Sequence, residues 1–210
     1  MILCRSYAVQ GPNGIKAIWD LGNSIFRKEI DLFPELLQKV ISAMLSTIEM
    51  IRMGDATNGE ILGRVTHMLT TLQFYHSTFE VAFVQDSIRF FTLEGTMLIS
   101  QVETAKFLFH VDRRIFESIE ITSKYLDPSS RKLLLEIVDN HLLKPHVNTL
   151  LEKGFKFLMD ESRRDDLKRM FYLFDRVKSL ELLKVGWSMY IRCGAPTFFL
   201  SFLSPHCRRP

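Results

Sequence analysis

Cysteine is scarce in this chain of 210 residues, which holds only Cys4, Cys193 and Cys207. An odd, sparse set argues against a disulfide framework and fits a reducing compartment, so cytoplasm or nucleus is the expected location. No long hydrophobic run is present either. The most apolar stretch, Phe198-Phe199-Leu200-Ser201-Phe202-Leu203, is far too short to span a bilayer as a helix. The first ten residues, MILCRSYAVQ, lack the extended apolar core and small-residue cleavage site of a signal peptide. Cys207-Arg208-Arg209-Pro210 has the position of a prenylation box but puts two arginines where the aliphatic pair belongs. Charge of one sign is lacking too. Lys plus Arg number 27 against 24 Asp plus Glu, a net charge of +3. The basic residues interleave with acids, as in Arg163-Arg164-Asp165-Asp166, so neither nucleic acid nor a membrane is expected as a partner.

Catalytic motifs are missing as well. There is no GxSxG, P-loop, GxGxxG, HExxH or CxxC. His141 and His146 are five residues apart across Pro145 and so do not share a helical face as zinc ligands would. Cys193, His206 and Cys207 have no fourth ligand at a sensible spacing, and nothing in sequence supplies a base beside Cys193. Phe74-Tyr75 and Phe90-Phe91 fall inside apolar stripes and read as core, not as stacking platforms for bases. No cofactor, metal or catalytic residue is expected.

What is present is helical periodicity throughout. The hydrophobic fraction is 47%, with 17 Phe and only 10 Gly, and no segment sustains a period of two. The expected fold is all-α, with about eight helices joined by short polar turns, arranged as a bundle or an α-solenoid. After the turn Gly11-Pro12-Asn13-Gly14, a first helix spans Ile15–Ile30 with Ile18, Leu21, Ile25 and Phe26 inward. A second starts near Pro34, buries Leu37, Ile41, Met44, Ile48 and Ile51, and ends on a left-handed cap at Gly54. A third, capped by Thr57 or Asn58, carries Ile61, Val65, Met68, Leu69 and Leu72. The next covers Thr78–Ile99 with Phe79, Phe83, Phe90 and Leu93 buried, and another carries Phe107, Val111, Ile115, Ile119 and Leu126. Asp127-Pro128 stops it, and Ser129 or Ser130 caps the helix Arg131–Leu142.

Residues 141–194 organise the rest. Apolar residues fall at Leu143, Val147, Leu150, Leu151, Phe155 and Leu158, and resume at Leu167, Met170, Phe171, Phe174, Val177 and Val185. Pro145 marks a break or kink, and Ser162 with Asp165 resembles a capping box at the start of the second half. The expectation is an antiparallel helix pair with Phe174 buried between it and the preceding helix.

These residues, taken in order, resemble the N-terminal stalk of a cullin, closest to the cullin-4 branch. Ile18-Trp19-Asp20-Leu21-Gly22 with Phe26-Arg27 resembles the helix that opens the second cullin repeat. Leu72-Gln73-Phe74-Tyr75, Phe79-Glu80 and Phe83 resemble its middle, and Glu94-Gly95 and Tyr125-Leu126-Asp127 follow at family spacing. The strongest match is Leu150-Leu151-Glu152-Lys153-Gly154, Leu158-Met159-Asp160-Glu161, Asp166-Leu167, Met170, Leu173-Phe174, Arg176-Val177, Trp187 and Tyr190-Ile191. The resemblance implies stacked five-helix repeats in a scaffold of a multisubunit ubiquitin ligase, with no catalysis of its own. Trp19, Phe79, Leu150, Leu167, Met170, Leu173, Phe174, Val177 and Trp187 are the implied family core. Residues 1–14 correspond to the end of a first repeat, 15–128 to a second, 129–194 to part of a third, and 195–210 to a divergent tail. The family pattern stops after Gly194, so the RING-binding domain and its modified lysine have no counterpart here. Most of the surface for a β-propeller adaptor is likewise unmatched. The implied partners are nonetheless those of a cullin-RING ligase. The alternative is a helical interaction module that has lost ligase function or competes with the full-length scaffold. With no following helices to cover Leu158, Met170, Leu173, Trp187 and Ile191, an exposed apolar patch and self-association are expected near the C-terminal end.

Overall fold

The structure is a computed structural model that describes residues 18–55 and 59–192. Among them every regular element is helical, as the periodicity requires. The expected cap at Thr57 or Asn58, the segment 1–14 and the tail 195–210 lie outside the described residues.

The elements are α1 (Ile18–Asp31), α2 (Pro34–Met53), α3 (Gly59–Thr71), α4 (Glu80–Gln101), α5 (Thr104–Tyr125), α6 (Ser130–Ile137), α7 (Val147–Leu150), α8 (Lys156–Asp160), α9 (Arg164–Arg176) and α10 (Leu180–Arg192). Contacts divide the chain into two units. One holds the described residues up to Asp86 with Glu120–Arg131, and the other holds Ser87–Ile119 with the described residues from Lys132 on.

In the first unit, α2 follows the sequence closely. Pro34 sits in its first turn, and Met44 and Ile48 are buried, with Leu37, Ile41 and Ile51 half-buried beside them. Gly54 closes it at φ 89°, its N–H bonding Ile51 O while Asp55 N–H bonds Met50 O. That 6→1 bond with its inner partner is a Schellman ending. Helix α3 buries Leu62, Thr66 and Leu69 and leaves Ile61 exposed. A wide π-helical turn, Tyr75–Phe79, then feeds α4, and Tyr75, Phe79 and Phe83 form an aromatic ladder with centroids 5.2 and 5.8 Å apart. The Tyr75 hydroxyl and Ser130 Oγ are 2.8 Å apart, and Ser130 donates to Glu80 at 2.6 Å. Ser130 is therefore a buried tertiary link and not the helix cap expected of it. Ser129 instead bonds Asp127 Oδ1 through both its N–H and its hydroxyl.

Along α4 the buried positions are Phe83, Ser87, Phe91 and Gly95, continuing Phe79 in steps of four. This corrects the expected burial of Phe90, which is half-buried, and Leu93, which is exposed. Ser87 and Gly95 are too small or polar to register as apolar, yet their lack of bulk is what lets neighbours close on this ridge. A Cβ on Gly95 would stand 2.8 Å from His146 Nε2.

In the second unit the helical course from Lys132 to Asp160 does not break at Pro145. The turn widens at Val138–Leu143, where Lys144 N–H reaches Asp139 O, then tightens at Lys144–His146, where Val147 N–H bonds Lys144 O. Pro145 has no N–H to offer, and a wide turn followed by a tight one absorbs that loss. A second wide turn occupies Leu151–Phe155.

Two further expectations need correction. Ser162 does not cap α9. It sits at φ 52°, and the bonds Ser162 N–H to Met159 O and Arg163 N–H to Leu158 O make it the left-handed end of the preceding helix. The second half of the expected helix pair is two helices, because Lys178 at φ 56° ends α9 in the same way and α10 starts at Leu180.

Candidate interaction surfaces

The acidic first turn of α9, Asp165-Asp166, suits the N-terminal end of the helix dipole, and its apolar residues fall on one face. Met170, Leu173 and Phe174 are fully buried, Val177 is buried and Leu167 is half-buried. Phe171 lies outside this face and is exposed. Charged contacts fix the helix from its flanks. Arg176 grips Asp139 through two nitrogens at 3.1 and 2.8 Å, and Arg169 lies over the Phe109 ring with Asp112 3.5 Å away. Burial opposes the charge on Arg176, but its hydrogen bonds to Asp139 and Tyr172 outweigh that and raise its pKa.

Leu150, Leu158 and Phe79 are likewise fully buried. Trp19 and Trp187, both implied as family core, are 67% and 37% exposed. The Trp187 ring lies 6.0 Å from the Phe155 ring, tilted by 55°. Trp19 belongs to α1, no residue of which is buried. The expected patch is thus confined. Leu158, Met170 and Leu173 find cover, whereas Trp187 and Ile191 on α10 remain exposed with Leu182, Val185 and Met189.

Among the described residues, apolar surface stands open at two places in particular. The first is an apolar groove of about 450 Å³ within the second unit, floored by Leu151, Phe155, Leu182, Val185, Met189 and Tyr190. Glu152, Lys156 and Asp160 stand along its edge, and the Tyr190 hydroxyl donates to Asp160 at 2.8 Å. The second is α1, which turns Asn23, Ser24, Arg27 and Ile30 toward its neighbours. Arg27 bonds Gln73 at 2.5 Å and lies over Phe74. Ile18, Leu21, Ile25 and Phe26, expected inward, face outward because the polar side of the helix makes these contacts.

The polar clusters serve structure. Arg114 takes Glu94 through Nε at 3.0 and 3.2 Å and Glu117 through Nη1 at 2.6 Å, above the Phe90 ring. Burial pulls the Glu94 carboxyl upward, but the neighbouring His110 and Arg114 outweigh it and hold the pKa below the ordinary value. Ser130, Glu80 and His76 come together but do not form a nucleophilic array. Ser130 donates to one carboxylate oxygen and His76 meets the other, so the imidazole cannot take the serine proton. His141 lies 3.4 Å from Thr92 and His146 packs on Phe107, well apart in role. Among the described residues no group of three or more His, Cys, Asp or Glu could hold a metal ion, and no helix is long and apolar enough to cross a membrane.

The family model of the cullin alpha solenoid domain matches residues 1–196. The chain belongs to the cullin family. It is 32% identical over 192 residues to Cullin-4 of Dictyostelium discoideum and 34% identical over 193 residues to Cullin-4A of Homo sapiens. Each alignment takes in 91% of this chain, and they take in 24% and 25% of those proteins respectively. Cullin-like protein 5 of Arabidopsis thaliana is 30% identical over 174 residues, 81% of this chain and 40% of that protein. The chain therefore spans about a quarter of the length of the cullin-4 relatives it matches. The all-helical solenoid expected from the sequence is the family's own fold.

Proposed function

We propose that this cullin-family chain is a non-catalytic scaffold segment of the ubiquitin-ligase class, acting through protein–protein contact in the cytoplasm or nucleus. The observation that carries this reading is the core at Leu150, Leu158, Met170, Leu173 and Phe174. The residues that carry the cullin resemblance there pack into a closed interior, while the groove beside α10 and the outward face of α1 are apolar and open. In this reading residues 15–128 act as a second cullin repeat and 129–194 as part of a third, with 1–14 the end of a first and 195–210 a tail. Its partners are those of a cullin-RING ligase, including a β-propeller adaptor, and it self-associates through the C-terminal patch.

The exposed groove and α1 favour a second reading in the same frame, a helical module that competes with a full-length cullin. One experiment addresses both. The purified chain is placed in a reconstituted ubiquitination mixture, first in place of the full-length cullin and then in excess beside it. No transfer is expected in the first arm, and stimulation there overturns the non-catalytic reading. Inhibition in the second arm supports competition. Recovery of a RING subunit or propeller adaptor with the chain supports the ligase assignment, and a chain that recovers neither and inhibits nothing counts against both.

A further inference from the structure

The outward face of α1 and the groove beside α10 are both apolar and open. Helix α1 presents Ile18, Leu21 and Ile25 outward at steps of three and four, which is the anchor spacing of a helix that lies in an apolar groove. The groove between the 148–160 segment and α10 is floored by Leu151, Phe155, Leu182, Val185, Met189 and Tyr190, and no helix among the described residues lines it from the open side. A fourteen-residue helix is about 21 Å long at 1.5 Å per residue, enough to run past the two turns from Leu182 to Met189. The α1 helix is also held the wrong way round for an isolated molecule. Its contacts to Gln73 and Phe74 use the polar Arg27, and the apolar arc opposite, with Phe26 half exposed, is left to water.

We propose that the occupant of the groove is a second copy of this chain, with α1 of one copy seated in the groove of the next. This rests on the self-association reading above and names the helix that makes it. Such a contact is heterologous. Donor and acceptor are different surfaces, so a joined pair still has one α1 and one groove free, and the assembly grows in a line or closes as a ring. One helix in one groove buries only part of the roughly 800 Å² per partner of a standard stable interface, so association is weak and concentration-dependent, in the range of roughly 1–100 μM.

The test uses the full chain and two exposed substitutions, Ile25→Glu on α1 and Met189→Glu in the groove, followed by sedimentation or light scattering over that range. Both side chains are largely solvent-facing, so the helical circular dichroism should not change. The softer pair Ile25→Ser and Met189→Ser serves if it does. Wild-type mass should rise with concentration beyond a dimer, and each variant alone should weaken association at least tenfold. Mixing the two should restore a heterodimer and stop there, because one variant retains the groove and the other retains α1. That arrest at two copies is the signature of the proposed contact. Loss of association with Met189→Glu but not with Ile25→Glu overturns the assignment of α1 while leaving self-association through the patch intact. Association indifferent to both substitutions overturns the inference alone, and a wild-type chain that stays monomeric throughout overturns the inference and the self-association reading together.

Discussion

Helices α1 and α9 have nearly the same length and a similar amphipathic pattern, yet they have opposite fates. Helix α9 buries Met170, Leu173 and Phe174 completely, and α1 buries nothing. Periodicity says which side of a helix is apolar, and it cannot say whether the neighbours stand on that side. For α9 the decision comes from tertiary partners at both flanks, Asp139 for Arg176 and Phe109 with Asp112 for Arg169. For α1 the contacts to Gln73 and Phe74 pull the polar side inward. Of the residues that the resemblance implies as core, Met170, Leu173 and Phe174 in the C-terminal part are packed interior, while Trp19 on α1 stands as surface.

The largest expected effect tests this contrast directly. Phe174→Ala leaves a cavity among fully buried neighbours and should cost roughly 3–5 kcal/mol in urea denaturation. Phe26→Ala, measured at a dilution where copies do not associate, should change stability by no more than about 0.5 kcal/mol. An α1 substitution as costly as Phe174→Ala would mean that its apolar face is covered in the single molecule.

A pair of glycines sharpens the same comparison at smaller scale. A Cβ at Gly154 would run into the Thr104 side chain, whose β-branched rotamer has little freedom to swing away. Gly154→Ala should therefore cost about 1–3 kcal/mol, and adding Thr104→Ala should recover only part of it, because alanine keeps the Cβ that the new methyl group meets. Gly22 lies within α1 with nothing inside 4 Å of a built Cβ. Gly22→Ala should stabilise by about 0.5–1 kcal/mol, since an interior helix glycine loses more backbone entropy than alanine. Destabilisation at Gly22 would place a neighbour on the outward face.

How much was legible follows from what each residue type signals. The stripe of α2 and its Gly54 ending could be read directly, because the stripe is continuous and glycine announces the left-handed cap. The ridge of α4 was misread at Phe90 and Leu93, because Ser87 and Gly95 hold two of its buried places without being apolar. The ends at Gln73, Ser162 and Lys178 were not readable, because ordinary residues occupy the left-handed position at φ 60°, 52° and 56°. At Ser162 the sequence even suggested the opposite role, a cap on the following helix. The groove and the outward face of α1 depend on what stands beside each helix, which no local pattern encodes.

Those unannounced endings give a smaller effect. Ser162 and Lys178 bracket α9, and both adopt a conformation in which a Cβ crowds the carbonyl that follows. Ser162→Gly and Lys178→Gly should each stabilise by about 0.5–1 kcal/mol, the relief of strain less the entropy glycine loses. Gly54→Ala should destabilise by a similar amount. If Lys178→Gly were destabilising, contacts of the lysine stem would outweigh the backbone strain, and the boundary between α9 and α10 would be held by the side chain.

Two histidines, one in each unit, offer the subtlest contrast. His76 is exposed and bonds Glu80 at 2.9 Å, and that hydrogen bond raises its pKa above the ordinary value. Its proton is held more tightly in the folded chain, so its contribution is complete below about pH 6.5 and fades as pH rises through the raised pKa. His146 is buried against Phe107 and Gly95, and desolvation pushes its pKa down. It favours the neutral ring, so its contribution is present above about pH 6.5 and fades as pH falls toward the depressed pKa. The two slopes oppose one another near neutrality and partly cancel in the wild-type melting temperature. His76→Gln should leave a melting temperature that rises with pH between about 5.5 and 7.5, and His146→Gln should leave one that falls. Slopes of the same sign in the two variants would show that at least one histidine does not change its proton affinity on folding as its surroundings dictate.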